Sequence, residues 1–186
     1  VLQGERGLSR KSATPGNASY YYSFTRLPTT GEVRIGDTGF RVQGNSWMDR
    51  EWSSSALDND QSGWDWFALQ LDDGRELMFY QLRTREGKMH AFSRGVLVGK
   101  DGNVHHLSPD DVTLVPLRDW QADAGTEYPV EWRLQVPGLE LDLEVQASLD
   151  DQLMDHTVQY WEGAVDVSGS HRGRGYLELS GYADSP

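Results

Sequence analysis

Apolar residues in this chain recur at every second position, and Gly, Asp and Pro clusters interrupt them at short intervals. That is the pattern of short antiparallel strands joined by turns. Residues 2–12 predict a first strand ending in Arg10-Lys11. Ala18 to Leu27 carries Tyr20, Tyr21, Tyr22 and Phe24, so this strand has aromatic rings on both faces. Pro28-Thr29-Thr30-Gly31 predicts a turn into Glu32–Ile35. Gly36-Asp37-Thr38-Gly39 predicts another, before Phe40–Val42. Trp64–Leu71 and Glu76–Leu82 predict a hairpin through a two-residue type I′ turn at Asp73-Gly74. That register sets Phe67 opposite Tyr80 and Ala68 opposite Phe79.

Further strands follow at Met89–Val98 and Val104–Leu107, joined through Asp101-Gly102, and at Val112–Leu117. Val130, Trp132, Leu134 and Val136 alternate with polar residues, as do Leu139, Leu141, Leu143 and Val145 after Pro137-Gly138. A tight turn there sets Arg133 beside Asp142 as a cross-strand ion pair. Leu149–His156 reads as a polar connection with one helical turn, and Val158–Val167 and Gly175–Tyr182 as the closing strands. About ten sequential strands with no long helix predict an all-β, up-and-down antiparallel barrel. Both faces of the Trp64–Leu82 hairpin are apolar. One can line a barrel interior; residues 1–45, another copy of the chain or a further domain must then cover the other.

Composition narrows the function classes. The 186 residues suit one domain, and the net charge of −12 disfavours a binder of nucleic-acid phosphates or of anionic membrane surfaces. The absence of cysteine removes disulfides and thiolate metal sites. No apolar run is long enough for a spanning helix. The start at Val1, in mid-pattern, is expected of a processed or excised piece of a longer chain.

The densest chemistry lies in Ser46-Trp47-Met48-Asp49-Arg50-Glu51-Trp52 and Gly63-Trp64-Asp65-Trp66-Phe67. On a strand, Trp47, Asp49 and Glu51 share one face, and Met48, Arg50 and Trp52 the other. Two neighbouring carboxylates beside large rings can raise one pKa and yield a general acid. The structural alternative has Arg50 stacked on Trp52 to close a barrel end, with Asp49 or Glu51 paired to an arginine. Trp64, Trp66 and Tyr21 form an aromatic wall suited to a polyene or terpenoid, or else core filler. His105 and His106 face opposite ways on a strand, and His90, His156 and His171 lie alone, so no metal site is expected. No phosphate-binding loop or nucleophile elbow is present, and Ser53-Ser54-Ser55 reads as a loop.

Several stretches resemble the carotenoid 1,2-hydratase/AttH-like family. They are Gly7-Leu8-Ser9-Arg10-Lys11, Ala18-Ser19-Tyr20-Tyr21-Tyr22-Ser23, Trp47-Met48-Asp49-Arg50-Glu51-Trp52-Ser53, Gly63-Trp64-Asp65-Trp66-Phe67 and Tyr160-Trp161-Glu162-Gly163. The resemblance implies a lipocalin-like, calycin-type fold and two such domains in tandem. Residues 1–55 would carry the end of the first domain's pattern, and residues 56–186 the C-terminal barrel. It also implies a hydrophobic small-molecule ligand, no cofactor, an exported, extracytoplasmic protein and association with an ABC transporter. Some members add water to a carotenoid double bond. On that basis Asp49 and Glu51 are the candidate acids, and Tyr21, Trp47, Arg50, Trp52, Trp64 and Trp66 the candidate ligand contacts. A non-catalytic module docking a partner domain is the alternative.

Overall fold

The computed structural model describes residues 1–53, 57–123, 125–155 and 159–183. About two-thirds of the chain is strand and 3% is helix, in two 3-10 turns at Pro109–Asp111 and Pro137–Leu139. Strands β1 (Leu8–Arg10), β2 (Ala18–Ile35) and β3 (Thr38–Ser53) form one antiparallel sheet. The second sheet holds β4 (Gln61–Leu71), β5 (Glu76–Thr84), β6 (Arg94–Val98), β7 (Val104–Leu107), β8 (Thr113–Gln121), β9 (Glu127–Val136), β10 (Leu141–Ala147), β11 (Leu153–Asp155), β12 (Gln159–Gly169) and β13 (Gly173–Ser180). Its order is β7-β6-β5-β4-β13-β12-β10-β9-β8, with β11 paired to β12. The last long strand, β13, pairs with β4, and the seam stays open between β7 and β8. The result is a curled antiparallel half-barrel, a lipocalin-like fold.

Turn chemistry sets the register, and one turn corrects the sequence reading. At the β4–β5 corner the Leu71 amide donates to the Arg75 carbonyl and the Gly74 amide to the Leu71 carbonyl, with Gly74 at φ 89°. This is a three-residue loop closed by a left-handed glycine, not a two-residue type I′ turn. Gly87 and Gly102 close the β5 extension and the β6–β7 corner in the same way. The extra residue shifts the pairing by one, so Phe67 opposes Phe79, Trp66 opposes Tyr80 and Ala68 opposes Met78. A one-residue shift moves every side chain to the other face. Phe67, Leu69, Leu77 and Phe79 therefore point into the half-barrel together, where Trp132, Leu134, Leu143, Trp161 and Leu177 meet them. Trp64, Trp66, Met78, Tyr80 and Leu82 share the outer face.

Residues 1–53 cover that outer face. The proximal half of the β2–β3 ribbon lies against it, with Ser19, Tyr21, Ser23 and Thr25 buried at alternate positions. The distal half is exposed. Pro28 and Gly31 do not turn the chain as expected. They continue β2, paired with Asn45 and Val42, after an irregularity between Phe24 and Leu27. In a two-stranded ribbon one edge is free, so a proline without an amide hydrogen is tolerated. The real reversal is at Gly36, φ 57°, between the paired Ile35 and Thr38. The segment after Leu149 makes strand β11 rather than a helical turn. Arg133 and Asp142 do form an ion pair, at 2.6 Å, but diagonally, because Pro137–Leu139 inserts a 3-10 turn and Arg133 is aligned with Glu144. Ser54, Ser55 and His156 lie outside the described residues.

Candidate functional site

Strand alternation builds the site. Along β3, Trp47, Asp49, Glu51 and Ser53 face the barrel, and along β2 so do Ser19, Tyr21 and Ser23. Opposite them stand Trp64 and Trp66 of β4, Tyr80 and Leu82 of β5, and Glu178 of β13. Between the two layers lies a cavity of about 360 Å³ lined by Lys11, Tyr21, Asp49, Glu51, Ser53, Trp64, Trp66, Tyr80, Leu82 and Glu178. A second hollow of about 810 Å³ continues along the ribbon past Trp47, Gln70 and Tyr176. Asp49, Trp66 and Glu178 line both, so the two hollows lie side by side in the groove between ribbon and half-barrel, with these residues as their common border. Tyr21, Trp64 and Trp66 thus form the expected aromatic wall. The Trp66 indole donates to the Tyr21 hydroxyl at 3.1 Å and lies 6.4 Å, edge to face, from Trp47.

The acids differ sharply in their partners. Asp49 accepts from the Ser23 hydroxyl, directly across the ribbon, and from the Trp47 indole at 2.9 Å. Burial pushes its pKa up. The hydrogen bonds from Ser23, Trp47 and Tyr21 pull it back and the charge of Glu51 adds to the rise. Glu51 accepts from Ser19 and pairs with Lys11 at 2.9 Å. The Lys11 ammonium also sits 4.0 Å over the Tyr80 ring. Burial, and next the charge of Asp49, pushes the Tyr21 hydroxyl well up, so it stays protonated and able to donate.

Sequence reasoning missed Glu178. Its carboxylate accepts from the Trp64 indole at 2.7 Å. Burial raises its pKa, opposed by that hydrogen bond and reinforced by Glu162, Glu51 and Asp49. In sequence it is one polar residue between Leu177 and Leu179, the ordinary signature of a solvent-facing strand position. Only the pairing of β13 with β4, which puts it opposite Trp66, brings it under the ribbon.

Two of the candidate residues lie elsewhere. Arg50 and Trp52 do stack, at 5.3 Å, but on the outward face of the ribbon, with Trp52 beside Tyr22. They neither line the groove nor close the barrel. A different arginine, Arg83, is the one stacked within the fold. Its guanidinium lies 3.9 Å over the Tyr182 ring and pairs with the fully buried Asp65. Among the described residues Asp49 pairs with no arginine. Its partners are the Ser23 and Tyr21 hydroxyls and the Trp47 indole. A wider hollow of about 1320 Å³ near Arg83 and Tyr182 is lined by Met89, Val112, Leu114 and Trp132 of the barrel as well as by charged side chains of both signs. Its cations are committed: Arg83 to Asp65 and the Ser180 carbonyl, Arg85 to the Asn59 carbonyl, and Lys88 to Glu86.

Groups of histidines and carboxylates able to hold a metal ion are absent among the described residues. A groove with indole and phenol faces, a protonatable aspartate and a second carboxylate can do two things. It can bind a flat apolar molecule, and it can pass a proton to it.

The sequence matches the AttH-like family over residues 1–182. Among solved structures, an AttH protein of Nitrosomonas europaea superposes with a TM-score of 0.89 at 38% identity. The match covers 97% of this chain and 57% of that one. Kievitone hydratase of Nectria haematococca shares the fold, with a TM-score of 0.77 at 18% identity, over 95% of this chain and 56% of its own. The chain thus spans little more than half the length of either. A search of curated proteins gives no match.

Proposed function

The chain belongs to the AttH-like family, and on that premise we propose that the groove between ribbon and half-barrel binds an elongated, unsaturated hydrophobic molecule, such as a polyene, terpenoid or lipid. One observation carries this reading. Tyr21, Trp64 and Trp66 line a cavity that adjoins a second hollow beside Trp47, and the carboxylates of Asp49 and Glu178 border both. Rings on opposite sides of a narrow space suit a flat or conjugated ligand. Mass spectrometry of organic extracts from freshly purified protein tests it. A co-purifying isoprenoid or lipid supports the reading, and extracts matching a blank purification count against it.

A second reading is favoured by Asp49, which is a carboxylic acid raised in pKa and held against aromatic faces. We propose that it protonates an alkene carbon, the first step of adding water to a double bond, as the name of kievitone hydratase suggests for a protein of this fold. Asp49→Asn retains a carbonyl for Trp47 or Ser23 but has no acidic proton. In the full-length protein it is expected to lower turnover by roughly 10²–10⁴. Unchanged turnover would leave a binding function alone.

The family setting extends the proposal to an extracytoplasmic protein working beside an ABC transporter. The distal ribbon exposes Val33, Ile35, Phe40 and Val42. That surface is offered to a further lipocalin-like domain or to another copy, and light scattering on the full-length protein and on this chain alone tests which.

A further inference from the structure

The groove carries more negative charge than its cations answer. Four carboxylates line it: Asp49, Glu51, Glu178 and, in the second hollow, Asp72. Lys11 is paired with Glu51. Further along, Arg26 is paired with Glu76, and Arg174 extends into solvent beside Asp166. Among the described residues lining the groove, then, Asp49 and Glu178 have hydroxyl and indole partners but no cationic one. Both stand at the common border of the two hollows, with Trp66. A second feature of the same space is independent of these acids. Tyr21, Trp64 and Trp66 line it, and an aromatic ring attracts a cation that reaches its face.

Resting on the reading of this groove as a ligand site, we propose that Glu178 makes it selective for apolar molecules that carry, or develop during reaction, a positive charge. An apolar anion such as a fatty acid is disfavoured in the same place. Glu178 is well placed for this because the Trp64 indole fixes its carboxylate while Leu177 and Leu179, both fully buried, anchor the strand on either side.

In a hydration the roles of the two acids are complementary. The Asp49 carboxylic acid gives its proton to one alkene carbon as the π bond breaks, leaving the cation on the other carbon. Water forms the new C–O bond there and passes its proton to the Glu178 carboxylate. H and OH have then added across the double bond, with Asp49 ionised and Glu178 protonated until solvent exchanges the proton back.

Three probes with one skeleton test the selectivity by quenching of tryptophan fluorescence: N,N-dimethylgeranylamine, geranyl methyl ether and geranic acid. The amine is expected to bind about tenfold tighter than the ether, and the acid about tenfold weaker. Glu178→Gln, which keeps an acceptor for the Trp64 indole, should erase the amine's advantage and leave the ether within about two- to threefold. Glu86→Gln removes an exposed charge far from the groove lining and should change neither. A thermal melt of each variant separates selectivity from folding. If Glu178→Gln proves unfolded, Trp64→Phe, which removes the donor that fixes the Glu178 carboxylate, takes its place and should reduce the amine's advantage in part. Equal binding of amine and ether to the unaltered protein would overturn the inference while leaving the ligand reading intact. So would an amine advantage that survives Glu178→Gln. Failure of all three probes to bind would overturn both.

Discussion

Asp65 and Asp49 sit in opposite layers of one molecule, and burial raises the pKa of both. Around Asp65 both carboxylate oxygens are bonded, one of them to a cation. It receives Arg83, Gln81 at 2.8 Å and the Tyr182 hydroxyl at 2.9 Å, and it is wholly inaccessible to solvent. Asp49 receives the Ser23 and Tyr21 hydroxyls and the Trp47 indole, has no cation beside it among the described residues, and borders open volume on two sides. A raised pKa is therefore common to a structural clamp and to a candidate acid. What separates them is the missing counter-charge and the adjoining space.

The largest effect expected from this contrast is on the clamp. Arg83→Met leaves Asp65 buried without its cation, and should cost about 3–5 kcal/mol in chemical denaturation. Asp49→Asn, by contrast, should keep or raise the melting temperature. A loss as large as that of Arg83→Met would make Asp49 a structural residue like Asp65. Tyr182→Phe removes one hydrogen bond to the Asp65 carboxylate. About 1–3 kcal/mol is expected, smaller than the loss of the ion pair.

The pH dependence sharpens the same comparison. A carboxyl whose pKa is raised on folding binds its proton more tightly in the folded state. Its contribution is then fully present below the unfolded value, about 4, and is lost as pH rises through the folded one. Asp49 and Glu178 are both of this kind. As pH rises from about 4 toward neutrality, the native protein should lose melting temperature relative to an Asp49→Asn, Glu178→Gln double variant. A gap that narrows over that range would mean that the two carboxylates gain a cation on folding.

Much of the barrel was legible in sequence because period-two alternation and turn glycines report local geometry. The face assignment of Trp47, Asp49 and Glu51 follows from alternation alone, and so does the opposite face of Met48, Arg50 and Trp52. The register at Gly74 was not legible. Asp-Gly fits a two-residue and a three-residue loop equally well, and the choice decides which rings face the groove. Glu178 and Arg83 escaped for a different reason. The Trp64 indole that holds Glu178 comes from a strand 114 residues earlier, and the Ser180 carbonyl that caps Arg83 lies 97 residues away. No short window of sequence contains either pair. The ribbon beyond Leu27 misled because Pro and Gly signal turns in most contexts, whereas a two-stranded arm with a free edge accommodates them.

The central claim is that the ligand site lies between the ribbon and the outer face of the barrel, and not inside it. Indole N–H resonances of the tryptophans test this most directly, because Trp64 and Trp66 line the groove while Trp132 and Trp161 lie in the barrel core. In a titration with geranyl methyl ether, the Trp64 and Trp66 signals should move together with saturation, and those of Trp132 and Trp161 should stay in place. Saturable shifts at Trp132 and Trp161, with Trp64 and Trp66 unmoved, would put the ligand inside the barrel and contradict the account.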